Sequence, residues 1–488
     1  MAKLWCLTLL LALFVATQAK APCGCGTVLR VKKVAMEYAC QTQRRPLQEA
    51  LQLLRIPGFT GTVKTTGGLF NTGLLGGLFG GLTKLTDTVL NIAGIDIKKV
   101  QLPEMKVNLK PGRGIQVLID TGLDIKLRAI LLDGIGFKIG AGVIADIEIS
   151  RTSKGRPILT ISACKSIIGD LEFTVGGKQL IPDVVKLLRN NIHAFLADKM
   201  CLTVSGIFLS LNPHLEKFGA SAQINAQVGL EYTMPNPPVV TDQYMDMNMN
   251  VDYQMKGQTM DHLSVISKDL QLPSDAGQKD AMVNMGLSAE YFNNLFLAVS
   301  ETGGFNMDIS SESVSAQDAY RLSTTSLGLI ISNINSMYPH PLPIKLIITL
   351  SRAPLVTLKP GKIALSLTPS LEIVTARPGY PTNPLLLLNV DLRLAVQIGV
   401  SGGKLSVSLA MDSDLQVALV SSSVGPCKAS SLAEYITTYF KNIFMVKINK
   451  VLSVGVSLPS LPDVELIKPV TDVQQEYAVV SCDLKYRE

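Results

Sequence analysis

LKPGRGIQVLID (Leu109–Asp120) and LKPGKIALSL (Leu358–Leu367) open the same way, with a Leu-Lys-Pro-Gly turn followed by apolar residues at alternate positions. The first run continues through Ile115, Val117 and Ile119 to Leu123, Ile125 and Leu127; the second runs through Ile363, Leu365 and Leu367 to Leu371 and Ile373. Alternation with a period of two puts one strand face on a core and the other toward water. The two turns are offset by 249 residues (358 minus 109). The same offset carries Gly142–Ser150 (GVIADIEIS) onto Asp391–Gly399 (DLRLAVQIG), both strand-like. It carries Ser153–Ser162 (SKGRPILTIS) onto Gly402–Met411 (GGKLSVSLAM), each a turn followed by a strand. Finally it carries Pro182 onto Ser431, where each half opens a long helical pattern. Elements kept in register over one offset predict a duplicated chain.

The helices complete the plan. Pro182 suits a first helical position, and Val184, Val185, Leu188, Ile192, Phe195, Leu196 and Met200 follow at helical spacing. Ser431-x-x-Glu434 reads as a capping box, with Tyr435, Tyr439, Ile443 and Val446 marking one apolar face. Further helices are expected over Val31–Leu54 and Ser288–Glu301, where Tyr291, Leu295, Phe296 and Val299 share a face. Strands plus long helices in each half predict an α+β fold, a bent antiparallel sheet wrapped around a helix. Pro235-Asn-Pro-Pro238 is a stiff break. It sets the expected domains at 20–234 and 243–488, with a Pro-rich linker at 235–242. Beyond it Met245, Met247, Met249, Val251 and Tyr253 alternate, facing either a core or an adaptable lipid pocket.

Composition bounds the class. The chain has 488 residues, 47% hydrophobic and 17% charged, with mean hydropathy +0.30, which calls for large cores or enclosed apolar cavities. Lys3, the apolar stretch Leu7–Val15 and Thr17-Gln18-Ala19 read as a secretory signal peptide, residues 1–19, so the protein is expected to be secreted and extracellular. No later run of consecutive apolar residues is long enough to span a bilayer. Residues 20–230 hold 26 Lys+Arg and 15 Asp+Glu, a balance of +11; residues 231–488 hold 18 and 24, a balance of −6. A basic first half suits an anionic surface, or the two halves have simply drifted apart in charge. Beyond Cys6, seven cysteines remain, disulfide candidates in an oxidising compartment, with one left over. There is no Asn-x-Ser/Thr sequon.

Chemistry is sparse. Gly399-Val-Ser401-Gly-Gly403 has the form of a nucleophile elbow, but a strand pattern follows it and all four histidines (His193, His214, His262 and His340) precede it. The word therefore reads as a hairpin turn. Cys23-Gly-Cys25 lacks a second ligand pair, and the histidines are scattered, so no metal site is expected. Asp146 and Glu148 share one strand face as a solvated pair. No catalytic residue, cofactor or nucleic-acid partner is expected. Thr65–Thr83 is uncharged and holds seven glycines among Leu and Phe. It is either a surface loop or a segment that buries Leu74, Leu75, Leu78 and Phe79 at lipid interfaces.

These stretches resemble a known family. GTVLRVKKVAMEYACQTQRRPLQEAL (Gly26–Leu51), RPILTISAC ending at Cys164 and DKMCLTVS around Cys201 are similar to the first domain of the BPI/LBP/PLUNC superfamily, BPI fold-containing family B. AEYFNNLFLAVSETGGFNMDI (Ala289–Ile309), LPIKLIITLSRAPLVTLKPGKIALSL (Leu342–Leu367) and EYAVVSCDLKYR (Glu476–Arg487) resemble its second domain. The resemblance implies an elongated two-domain boomerang, each half a barrel with an apolar lipid pocket, joined by a central sheet. It implies a Cys164–Cys201 disulfide and extends to a pairing of Cys427 with Cys482, leaving Cys23, Cys25 and Cys40 unassigned. In the bactericidal member of the family a loop at the first barrel's tip is densely basic. Here Arg128–Phe137 holds one Arg and one Asp, while the turn at Arg151, Lys154 and Arg156 keeps three positive charges.

The resemblance also implies function: a non-enzymatic, secreted binder of phospholipid or another amphipathic lipid, including bacterial lipopolysaccharide. Innate defence or lipid transport is the implied role, with peripheral membrane contact. On the apolar helix faces, Val184, Leu188, Ile192 and Phe195 in the first half, and Tyr291, Leu295, Phe296 and Tyr439 in the second, are either lipid contacts or plain core. The rival expectation is a secreted structural or surface-active protein acting through segment 65–83.

Overall fold

In the computed structural model, residues 26–65, 70–71, 86–129, 135–173, 179–219, 222–224, 227–255, 258–260, 269–377, 379–460 and 463–487 are described. The expected signal peptide, Cys23, Cys25 and nearly all of the Gly/Leu-rich segment lie outside these residues. Strand β1 (Thr27–Lys32) is followed by helices α1 (Lys33–Thr42) and α2 (Arg44–Gln52). The single helix expected over Val31–Leu54 is thus a strand and two helices. Pro46 explains the break: it has no N–H to offer the carbonyl of Thr42, and a restart at Arg44 places it harmlessly in a first turn.

Contacts divide the chain into two compact units. The first comprises Val31–Phe218 with Asn236–Met247; the second comprises the residues up to Arg30, Gly219–Pro235 and Asn248–Arg487. The chain changes unit more than once, and one change falls at Pro235.

The first unit is built on the strands β2 (Arg55–Thr65), β3 (Thr86–Val100), β4 (Glu104–Lys110), β5 (Gly114–Ala129), β6 (Gly136–Arg151) and β7 (Pro157–Phe173). They pair antiparallel in the order β2-β3-β5-β6-β7, with β4 also on β5. Helix α3 (Pro182–Leu209) packs against both edge strands, β2 and β7, so the sheet curls far enough for its two ends to reach one helix. Cys164 on β7 and Cys201 on α3 form the expected disulfide. Beyond α3, Asn212 holds both backbone groups of Leu159 on β7.

The second unit repeats this plan. Helix α4 (Ala289–Glu301) is capped by the Ser288 hydroxyl, which accepts from the N–H of Tyr291. The strands are β8 (Val228–Thr233), β9 (Tyr244–Met255), β10 (Val283–Ser288), β11 (Ile344–Leu350), β12 (Leu355–Lys359), β13 (Lys362–Leu367), β14 (Pro369–Thr375), β15 (Pro384–Ser401), β16 (Lys404–Met411) and β17 (Gln416–Ser422), then β18 (Val464–Val473) and β19 (Tyr477–Tyr486). One sheet runs β11-β14-β15-β13-β12, with β16 and β17 also on the long strand β15; another runs β8-β9-β1-β10-β19-β18. The architecture is mixed α+β with three large antiparallel sheets.

The offset of 249 residues holds in three dimensions. It carries β6 onto residues 385–400, within β15, and β7 onto 406–422, which β16 and β17 divide between them. The turns at Gly112 and Gly361 both use positive φ, 68° and 73°, which a glycine supplies without strain. Met245, Met247, Met249 and Tyr253 of β9 are buried, which puts the methionine face on a core.

The last helix departs from expectation. It begins at Ala429 as α5 (Ala429–Tyr439), passes through a π-helical turn at Phe440–Phe444 and ends as α6 (Met445–Leu452). Lys428 is the N-cap, so Ser431 lies inside the helix and forms no capping box. The π turn inserts one residue of register. Met445 and Ile448 are buried as a result, and Val446, read as part of the apolar face, is 62% exposed.

Candidate functional site

Helix α3 carries two apolar stripes. Val184, Leu188, Ile192, Leu196, Met200, Val204 and Phe208 recur every fourth residue and are all buried. Each fully buried aliphatic or aromatic side chain contributes roughly 1.5–3 kcal/mol, enough to seat the helix firmly on its sheet. A step of four residues overshoots a helical turn by about 40°, so this ladder winds around the helix axis as it climbs. Phe195, Leu202 and Leu209, spaced by seven, therefore start beside the ladder, lie opposite it at Leu202 and flank its other side at Leu209. Phe195 is half-buried, and Leu202 and Leu209 are 59% and 41% exposed.

The imbalance shows in the helix as a whole. In its most apolar stretch, with mean hydropathy 1.5, only 22% of residues are buried. Helix Pro182–Leu215 is long and apolar enough to cross a membrane, yet the ladder fixes it to β2 and β7. Among the first-half residues nominated for lipid contact, Val184, Leu188 and Ile192 are sheet-facing core, and Phe195 alone belongs to the outer stripe. Leu202 and Leu209 were missed by tracing a single face; the seven-residue repeat Phe195-Leu202-Leu209 is the signal that finds them.

In the second unit the nominated residues are enclosed. Tyr291, Leu295 and Phe296 lie on α4, no more than 1% exposed. The hydroxyls of Tyr291 and Tyr232 are 3.4 Å apart, Tyr232 Oη donates to the carbonyl of Ser457 at 3.0 Å, and Tyr253 Oη donates to the carbonyl of Tyr291 at 3.3 Å. Burial raises all three hydroxyl pKa values, that of Tyr291 to about 12. One turn along α4 from Tyr291, an apolar cavity opens between Leu295, Val299, Ile224, Val407, Leu452 and Val456. Its volume is about 10 Å³, room for one water-sized sphere and not for an acyl chain. Phe296 packs on Phe305, and Tyr439 on α5 meets the ring of Tyr435 instead.

The basic turn needs correction. Arg151 and Lys154 are exposed, but Arg156 is only 6% exposed and donates from Nη1 to the carbonyl of Phe218 at 2.9 Å. It secures the backbone after α3 and is not surface charge. Strand β6 spans roughly 50 Å from Gly136 to this turn, so Arg128 and the turn sit toward opposite ends of the sheet. Arg128 itself pairs with Asp96 at 3.4 Å.

Two further readings are settled by geometry. Gly402 and Gly403 form the two-residue turn between β15 and β16, both with positive φ, so the Gly399–Gly403 word is a hairpin and not an elbow. Cys427 and Cys482 are unbonded: Cys482 is buried within β19, held between β10 and β18, whereas Cys427 precedes α5. Among the described residues no group of His, Cys, Asp and Glu is placed to hold a metal.

Both halves match known proteins. The LBP / BPI / CETP family, N-terminal domain, matches residues 35–213, and the LBP / BPI / CETP family, C-terminal domain, matches residues 222–486. The chain belongs to the LBP/BPI/CETP family. Human BPI fold-containing family B member 2 is 26% identical over 463 residues, 95% of each chain. Chicken protein TENP is 25% identical over 397 residues, 81% of this chain and 85% of its own. The crystal structure of lipopolysaccharide binding protein superposes with a TM-score of 0.62 at 20% identity, over 95% of this chain and 100% of that one. The LBP/BPI/CETP fold is thus shared, and the resemblance to family B extends to its named members.

Proposed function

We propose that this chain is a secreted binder of amphipathic lipid, phospholipid or lipopolysaccharide-like, working in extracellular defence or lipid transport without catalysis. The observation that carries this reading is the outer stripe Phe195–Leu202–Leu209, apolar surface left uncovered on a helix already seated by another face. Acyl chains laid on it gain about 25 cal/mol per Å² of apolar area removed from water. The cavity beside Leu295 is the second candidate, one that must widen to admit a chain. Membership of the family and a fold shared with lipopolysaccharide binding protein support the ligand class. The Cys164–Cys201 disulfide supports export.

The test is native mass spectrometry with lipid extraction on the secreted protein, alongside uptake of a fluorescent phospholipid. Lipid on the wild type, with uptake reduced in Leu202→Asp, supports the reading. A clean apo mass with no uptake refutes it. Unchanged uptake in Leu202→Asp removes the outer stripe from the site.

A further inference from the structure

One end of the second unit combines exposed apolar rings and chains with exposed cations. Strand β11 begins there at Ile344, β14 ends at Thr375, β15 begins at Pro384 and β17 ends at Ser422. Three short helices, Ala316–Arg321, Thr324–Gly328 and Asn333–Met337, cover this end. They are tied down by backbone bonds from Thr324 N–H to the Leu342 carbonyl and from Ala376 N–H to the Pro343 carbonyl, and by Tyr435 Oη donating to the Arg321 carbonyl. Residues 322–344 contain no Asp, Glu, Lys or Arg.

Ordered helices usually turn such side chains inward. Here Leu329 is 85% exposed, Tyr320 78%, Tyr380 59% and Met337 52%. Isolated exposed hydrophobics are ordinary, but these four all fall on segments that meet one end of the unit. Arg321, Arg377 and Lys428 lie on segments at the same end, all exposed, with no ion-pair partner among the described residues. The Arg377 guanidinium lies 4.1 Å from the ring centre of Tyr380. Glu312 and Glu434, exposed on flanking elements, do not pair with these cations, and the sequence places Asp318 three residues before Arg321 on the same helix.

We propose that this end of the second unit docks on an anionic lipid surface. Leu329 and Met337 enter the acyl boundary, Tyr320 and Tyr380 sit at headgroup level, and the three cations meet phosphate. Amphipathic tyrosines and long cationic stems suit the depth at which water gives way to hydrocarbon. Residues 231–488 are net acidic, so contact with an anionic surface in this half falls to exposed cations such as these.

The test uses the secreted chain and vesicles of phosphatidylcholine alone or mixed two-to-one with phosphatidylglycerol. Wild type is expected to co-sediment with the mixed vesicles, and Tyr320→Asp combined with Leu329→Asp to lose that binding with an unchanged circular dichroism spectrum. Neutralising Arg321, Arg377 and Lys428 to Ala should weaken binding by roughly fivefold per cation. Because the chain's one tryptophan is Trp5, a Leu329→Trp reporter should blue-shift on the mixed vesicles. No binding by wild type, equal binding by the double variant, or no emission shift overturns the proposal. Concentration-dependent dimerisation abolished by Leu329→Asp, without vesicle binding, overturns it in favour of a second copy of the chain.

Discussion

Asn212 grips the backbone of Leu159 at two points: its Oδ1 accepts from the Leu159 N–H at 2.8 Å, and its Nδ2 donates to the Leu159 carbonyl at 3.0 Å. In the second unit Asn449 does the same to Leu409, at 2.7 and 2.9 Å. Each amide acts as one more strand residue at the sheet edge. Asn212→Ala leaves a donor and an acceptor without these partners and should cost about 1–3 kcal/mol. Urea denaturation checks this; a midpoint equal to wild type contradicts it.

The disulfide fixes the same edge strand to α3, further back along the chain. Replacing Cys164 and Cys201 together by Ser should lower stability by roughly 2–4 kcal/mol through the freer unfolded chain. Thermal unfolding of the double variant beside wild type measures the loss, and unchanged melting refutes it.

The buried tyrosines set a pH response. Tyr291 ionises near 10.0 when unfolded and near 12 in the folded protein, chiefly because burial penalises the phenolate. A raised folded pKa contributes stability that is complete below the unfolded value and is lost as pH rises through the folded one. Stability should therefore hold to about pH 10 and fall between about 10 and 12. Tyrosinate absorbance should lag behind that of the urea-unfolded chain over this window. Coincident titration curves would show the hydroxyls to be solvated.

The free thiols should separate by reactivity. Burial pushes Cys40 up to about 11 and Cys482 up to about 12, while Cys427 is only partly buried. Iodoacetamide at neutral pH should label Cys427 first and reach Cys40 and Cys482 only on unfolding. Early labelling of Cys482, read by peptide mass mapping, would contradict its place within β19.

Much of this was legible because strand and helix periodicity and the repeated Leu-Lys-Pro-Gly turn are local signals. The duplication, the seat of α3 and the Ser288–Glu301 helix follow from them directly. Three features were not. Pro46 reads as an ordinary helix residue until one asks which carbonyl it abandons. The π turn at Phe440–Phe444 has no composition of its own, so Val446 was put on the buried face. Arg156 looks like surface charge in a turn, and only the distant carbonyl of Phe218 explains its burial. On α3, a single averaged face cannot separate a sheet-facing ladder from a second stripe that emerges beside it.

The two long helices behave like paired scales of unequal graduation. On α3, intervals of four set against a pitch of 3.6 slip further out of phase with every rung, and the accumulated slip is what uncovers Leu202 and Leu209. Leu432, Ile436, Phe440, Phe444, Ile448 and Leu452 follow the same four-residue interval in the other half, but the π turn resets the count midway. How far round its axis each half of this duplicated chain carries its buried rungs thus turns on one residue of winding, a change that alters the chemistry of no side chain.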